Sequence, residues 1–387
     1  MKFDIQEIIK IRRRLHQYPE YAWDETITSD ILLEYFRNKF PIKLTTNIAD
    51  SPSFAVQFRG VVTGKKVMIR CELDALPIKE DMKIPHRSLH KGLSHKCGHD
   101  GHMAVMCGLA DIFHDKPLIK GEVMIVFQSA EETGEGAAHV LDDIKDCSDA
   151  GIIDFNPDYI FAMHNLPGYP LGQIIVKEGG FASASEGMII KLKGASSHAA
   201  EPEKGRNPAL AIADIIRTLH DTEGFYNDLP PGCKAVVIDI NMGEEDFGIS
   251  PGDAVLMVTL RAPSDDDITV LRERLRGEIK KLTKEYGLKY TTKRTEIFPS
   301  IVNHPQAVKI VKEAAKALKL SIIKPSVPLL FSDDFGHFGR DYKCCYFGIG
   351  AGVDHPPLHH PDYDFPDEII ENSVGLFYKM IQIAVNE

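Results

Sequence analysis

Three runs of β-forming residues each end on groups that can titrate or grip a cation, and the intervals between them read as helices. VMIRCELDALP begins at Val67 and reaches Asp74, EVMIVFQSAEETGEG begins at Glu122 and reaches Glu131 and Glu132, and YIFAMHN begins at Tyr159 and reaches His164. After Cys97-Gly98-His99, the apolar residues Met103, Met106, Cys107, Ala110 and Phe113 recur with a 3.6-residue period, which predicts a helix from near Asp100. Strands alternating with helices call for an α/β layered fold. In such sheets chemistry gathers beyond the carboxyl ends of the strands, where Asp74, Glu131, Glu132 and His164 fall.

From about Glu186 the pattern changes. The strand GMIIKLKG leads through ASSHAAEPEKGR to a helix opening at Asn207-Pro208, with a cap and an N1 proline in their favoured places. Strands near VVIDINMG and AVLMVTLR follow, then a helix with Ser264 as cap and Asp267 three residues on, then the strand KYTTKRTEIF. That order is βαββαβ, a ferredoxin-like unit compact enough to be an insertion. A chain of 387 residues exceeds the size at which one core stops growing, so two domains are expected. We place them at 1–185 with 298–387, and at 186–297 for the insertion; PSIVNHP from Pro299 returns the chain to the first domain.

A net charge of −11 argues against a nucleic-acid partner bound through a basic surface. No apolar run has the length of a membrane span, and the first twenty residues lack the apolar stretch of a secretory signal, so a cytoplasmic location is expected. Seven cysteines, an odd and scattered set, do not resemble a disulfide framework and are read as reduced thiols; Cys344-Cys345 reads as packing.

Cys97 and His99, two residues apart, face the same way in an extended segment and could share a cation. In isolation a buried thiol beside a helix-capping turn explains them better, and His102 reads as a packing group or a support for a ligand. The adjacent pair Glu131-Glu132 changes the balance. In a partly buried cleft the two carboxylates repel unless one binds a cation and the other holds a proton; one then ligates while the other takes a proton from water and returns it to a leaving group. His164 ends the next strand, and HPPLHHPDYDF supplies His355, His359 and His360. A thiolate, imidazoles and carboxylates together suit zinc, manganese or cobalt better than calcium or magnesium. An exposed acidic turn remains the plain alternative for the glutamates, and a redox thiol for Cys97.

CELDALP, HKCGHDGH, SAEETGEG, AMHN, GASSHAAEPEKGRNP, FSDDFGHF and LHHPDYDF occur in that order over nearly the whole chain. Together they resemble the metal-dependent amidohydrolases and peptidases that include aminoacylases, hippurate hydrolases and hydrolases of indoleacetyl-amino acid conjugates. The resemblance implies a three-layer catalytic domain about a central mixed sheet, with the insertion as a lid and dimerisation module of a homodimer. It implies two divalent metal ions per subunit, held by Cys97 as a bridging thiolate with His99, Glu132, His164 and His359. Glu131 would be the general base and Asp74 would orient the site, while His198 would reach into the partner's active site and donate to the developing oxyanion. The implied reaction is hydrolysis of an N-acyl or N-acetyl amino acid to a carboxylic acid and an amino acid. A dipeptidase or carboxypeptidase, or a non-catalytic binder of small acylated molecules, are the alternatives. Arg261 stands where relatives keep a lid arginine suited to a substrate carboxylate, with a structural ion pair as its other reading. Two positions depart from the family's pattern: Gly248 replaces a usual asparagine, and Glu72 replaces a commoner aspartate. Asp333, Asp334 and His337 read as a turn bordering the cleft, and His355 and His360 as supporting or surface groups.

Overall fold

The computed structural model describes residues 3–39, 43–149 and 155–387. The chain divides into two compact units: Met1–Phe181 with Ile301–Val327 and Asp333–Glu387, and Ala182–Ser300 with Pro328–Ser332.

The larger unit is built on one mixed sheet. Its strands β1 (Lys43–Ile48), β2 (Ser53–Arg59), β3 (Val62–Glu72), β4 (Lys120–Gln128) and β5 (Tyr159–Pro167) join Cys344–Gly352, Ile174–Ile175 and Ile322–Ile323 in the order β1-β2-β4-β3-β5, then Cys344–Gly352, Ile174–Ile175 and Ile322–Ile323. β1, β2 and β4 pair antiparallel, whereas β4, β3, β5 and Cys344–Gly352 run parallel. Parallel strands of the middle are covered on both faces and so read as continuous apolar runs; Val123 through Phe127 are each almost completely buried. Because β3, β4 and β5 point the same way, the groups at their carboxyl ends share one edge of the sheet.

Four helices lie between these strands in the chain or precede them: α1 (Ile5–Gln17), α2 (Thr26–Lys39), α3 (His99–Asp115) and α4 (Gly136–Asp149). Asp4 caps α1, its Oδ1 accepting from the Gln6 amide at 2.9 Å. α3 is buried from His99 to Ala110 on every side, which accounts for its small residues and for an apolar pattern wider than one stripe. It begins one residue before the expected Asp100. The described cysteines, Cys71, Cys97, Cys107, Cys233, Cys344 and Cys345, are all free and buried, and the Cys147 side chain lies outside the described residues.

In the smaller unit the order is the expected βαββαβ: strand Ala184–Lys193, helix Ala209–His220, strands Lys234–Met242 and Asp253–Ala262, helix Asp265–Glu285, strand Lys289–Phe298. All three pairings are antiparallel, with Ala184–Lys193 and Asp253–Ala262 in the middle. Alternation places Met188, Ile190 and Leu192 with Leu256, Val258 and Leu260 in this unit's own core. Ser264 caps the second helix by accepting from the Asp267 amide at 3.2 Å. The first helix starts at Ala209, whose amide donates to Asn207 Oδ1 at 2.8 Å, so the cap is the expected asparagine although the helix begins after the proline. Pro328–Ser332 also groups with this unit: the Ser183 amide donates to Leu329 O at 3.0 Å, a return that no periodicity announces.

Candidate active site

The sheet edge brings the carboxyl ends of β3, β4 and β5 to the N-terminus of α3. Donor atoms of Cys97, His99 and His164 lie within 4.8 Å of one another, and so do those of Cys97, Glu132 and His359. The two trios share only Cys97. Asp74, His99 and Glu131 form a further group on the same criterion. Six of the residues expected to bind or orient metal, together with Glu131, therefore converge within the larger unit. His198 and Arg261 belong to the smaller one.

Cys97 and His99 share this pocket for a different reason from the one their spacing suggests. Gly98 between them adopts φ +93°, and His99 already opens α3, so a left-handed turn rather than strand alternation sets their directions. A Cβ at Gly98 would meet Asn165 Oδ1 at 2.6 Å and Tyr363 Oη at 2.9 Å, which excludes any other residue without rearrangement. His359 has φ +65°, a left-handed conformation costly for a side-chain-bearing residue, and its amide is held by Lys96 O at 2.8 Å.

Each imidazole is oriented by its second nitrogen. His99 Nδ1 donates to Asp74 O at 2.8 Å and His164 Nδ1 to Asn165 O at 2.8 Å, leaving both Nε2 lone pairs for the pocket. Asp74 also takes the Glu132 amide on Oδ2 at 2.8 Å, so one buried aspartate fixes a histidine and a glutamate. His99 Nε2, Glu132 Oε1 and Asp74 Oδ1 are buried and have no hydrogen-bond partner. Orphaned buried carboxylate oxygens are costly unless something positive meets them. This chemistry fits a divalent cation, and a thiol–imidazole–carboxylate set fits zinc, manganese or cobalt.

Electrostatics agree. Burial, followed by the charges of Asp333 and Glu132, raises the Glu131 carboxyl well above the usual carboxylate range. Burial pushes Glu132 up to about 7, and burial with Glu132 and Glu131 raises the Cys97 thiol. Burial lowers His164, whereas His99, which burial alone would also lower, is raised to about 10 by its bond to Asp74 and by nearby carboxylates. Several acids compete to remain protonated in one pocket, so cation binding here must release protons.

Behind the pocket lie supporting groups, of which the sequence did not single out Arg70, Arg12 or His16. Arg70, completely buried in β3, is held by Glu72, Asp333 and Asp334 and donates to Gln128 Oε1 at 3.0 Å. Asp333 and Asp334 are thus buried ion-pair partners, not merely a turn at the cleft border. A lone arginine inside VMIRC was the available signal. Glu72, the departure from aspartate, reaches both Arg70 and His102, whose Nδ1 donates to it at 2.9 Å. His102 also meets Asn165 Oδ1 at 2.6 Å, so it supports the site from behind. On the α1 side, Arg12 pairs with Asp100, Asp364 and Asp367, and His16 bridges Asp100 and Glu80. His355 donates to Asp364 O at 2.7 Å, and His360 is exposed.

In the smaller unit, His198 is exposed and pairs with Ile249, and its Nδ1 accepts from the Ala200 amide at 3.0 Å. That bond leaves the proton of a neutral ring on Nε2, which is then a donor. Arg261 donates to Leu330 O at 2.9 Å and Ser332 Oγ at 3.0 Å, both neutral acceptors, so the structural ion pair considered for it is not what holds it.

A parallel-centred α/β sheet whose strand ends converge on paired thiol, imidazole and carboxylate donors defines a metal-dependent hydrolase. Residues 68–383 match the model of peptidase family M20/M25/M40, and the chain belongs to that family. It is 29% identical to N-acetyldiaminopimelate deacetylase of Priestia megaterium, over 98% of this chain and 99% of the relative. It is 28% identical to thermostable carboxypeptidase 1 of Saccharolobus solfataricus, over 94% of this chain and 91% of the relative. A solved structure of a Bacillus subtilis dinuclear metal-binding peptidase of the M20 family superposes with a TM-score of 0.81 at 24% identity, covering 99% of this chain and 98% of that one.

Proposed function

We propose that the protein is a cytoplasmic, dinuclear metal-dependent amidohydrolase that cleaves N-acyl amino acids to a carboxylic acid and a free amino acid. The observation that carries this reading is the pair of donor trios joined at Cys97, with a second carboxylate, Glu131, beside them. Cys97, His99, Glu132, His164 and His359 would hold two divalent ions, zinc, manganese or cobalt, the thiolate being common to both. When bound, such ions polarise a scissile carbonyl and acidify water.

The remaining steps belong to the chain's own groups. Glu131, its proton affinity raised by burial and by Asp333, accepts a proton from the attacking water and delivers it to the departing amine. Asp74 keeps His99 and Glu132 fixed as charge develops. In the proposed homodimer, Nε2–H of His198 donates to the oxyanion forming in the partner's site. Arg261, its guanidinium facing neutral acceptors alone among the described residues, receives the substrate carboxylate.

A homodimer joined through the smaller unit completes the reading. Its edge strand Lys234–Met242 exposes Val236, Ile238, Ile240 and Met242, a liability that a second copy would cover.

The test is turnover of hippurate and N-acetyl amino acids against a dipeptide panel, with protein loaded separately with each metal. Glu131→Gln is expected to lower kcat by about a hundred- to ten-thousand-fold at unchanged metal content. Undiminished turnover would remove Glu131 from its role, and cleavage of dipeptides alone would move the protein to the carboxypeptidase side.

A further inference from the structure

The turn that presents Glu131 and Glu132 is bent where a side-chain-bearing residue resists bending. Ala130, directly before Glu131, has φ +56°. Such a conformation persists only where its surroundings hold it. Ser53 Oγ accepts the Ser129 amide at 2.9 Å, Asp74 Oδ2 accepts the Glu132 amide at 2.8 Å, and Gly134 and Gly136 return bonds to Glu131 O and Ala130 O. The strained residue itself donates its amide to Glu25 Oε1 at 2.8 Å. Glu25 is 0% exposed and comes from the segment between α1 and α2, more than a hundred residues away in sequence. Its other oxygen makes no hydrogen bond, and the polar groups near this carboxylate besides the Ala130 amide are its own amide and the Ser129 side chain of the same bend. Trp23, two residues earlier, also takes a left-handed conformation at φ 74°, and the Ala75 amide, next to Asp74, donates to Glu20 O at 2.8 Å. The Glu20–Glu25 segment thus grips the two backbone stretches that carry Asp74 and Glu131-Glu132.

We infer that Glu25 is a positioning residue. By clamping the Ala130 amide, it fixes the left-handed bend from which the general base and its neighbouring ligand project. The inference rests on the reading of Glu131 and Glu132 above, and its test therefore includes measurements that do not need turnover.

Two variants separate the clamp from mere filling of space. Glu25→Gln keeps an oxygen acceptor without the charge, and Glu25→Met keeps the length but cannot accept. Hydrogen exchange of the 129–136 segment in metal-free full-length protein is one readout. Affinity for Co2+, followed by its absorption spectrum, is the second, and kcat with KM on any substrate that wild type turns over is the third. Glu25→Met is expected to speed exchange in that segment alone and to weaken Co2+ binding about 10- to 100-fold, with kcat falling and KM changing little. Glu25→Gln should restore all three close to wild type. Wild-type exchange and Co2+ affinity in Glu25→Met would overturn the inference, and so would a Gln variant as damaged as Met. If the Met variant does not fold, Glu25→Asp, one methylene too short to reach, replaces it with the same expectations. Should wild type hydrolyse no acyl amino acid, the proposed substrate falls while the first two readouts still decide the clamp.

Discussion

Cys97 belongs to both donor trios, whereas His359 belongs to one. The two side chains should therefore fail differently. Cys97→Ala is expected to lower bound metal from about two ions per subunit to well under one, because both ions lose a ligand. His359→Ala should leave the Cys97, His99 and His164 group with one retained ion. Elemental analysis after gel filtration reads the difference, and equal loss in both variants would refute the shared thiolate. Metal should also protect Cys97 from alkylation, the reverse of what a redox thiol would show. These residues drew attention in the sequence because they fall at strand ends and within seven ordered motifs, while their roles as ligands came from the resemblance those motifs carry. Arg70 and Glu25 were not, since what defines them is a partner distant in the chain: Arg70 meets Asp334 and Glu25 meets Ala130 only after folding. Buried ion pairs of this sort leave one charged letter in an apolar run, indistinguishable from an edge position until the sheet order is known.

At the scale of elements, α1 is tied to the start of α3 by a buried charge network. His16 Nδ1 meets Asp100 Oδ2 at 2.9 Å and Nε2 meets Glu80 Oε1 at 3.1 Å, both inside the core. Burial alone would lower the pKa of His16, but Asp100 and Glu80 raise it from 6.5 to about 9. A raised folded-state pKa adds stability that is complete below the unfolded value and is lost as pH rises through the folded one. The window therefore runs from about pH 6.5 to about pH 9, with about 3 kcal/mol at stake if the shift is fully expressed. Denaturant midpoints of metal-free protein should fall across that window, and His16→Gln should flatten the profile while lowering stability below it. A wild-type profile as flat as the variant's would show that His16 stays neutral. The periodicity of α3 was visible in advance and its start was placed to within one residue, although the left-handed Gly98 that begins it, in place of a side-chain cap, was not. The βαββαβ order was equally visible, its alternation being set by burial on one sheet face, while the Pro328–Ser332 return leaves no period to detect.

For the whole molecule, the decisive question is whether one chain carries a complete site. The metal donors and Glu131 lie in the larger unit and His198, exposed and with Nδ1 occupied by the Ala200 amide, in the smaller. If His198 acts in the partner's site, as the proposed homodimer requires, two inactive variants should repair each other. Glu131→Gln lacks the base but presents an intact His198; His198→Ala lacks the donor but keeps the base. In a mixed dimer, the site whose own chain carries His198→Ala has its base and receives His198 from the Glu131→Gln partner, while the other site lacks both. Random re-association of equal amounts makes half the dimers mixed, each with one working site, so about a quarter of wild-type kcat should return under two-fold symmetry. Repair should depend on subunit exchange and be absent when the variants are mixed without it. If His198 instead served its own chain's site, every site in every dimer would still lack one group, and mixing would restore nothing however completely the subunits exchanged.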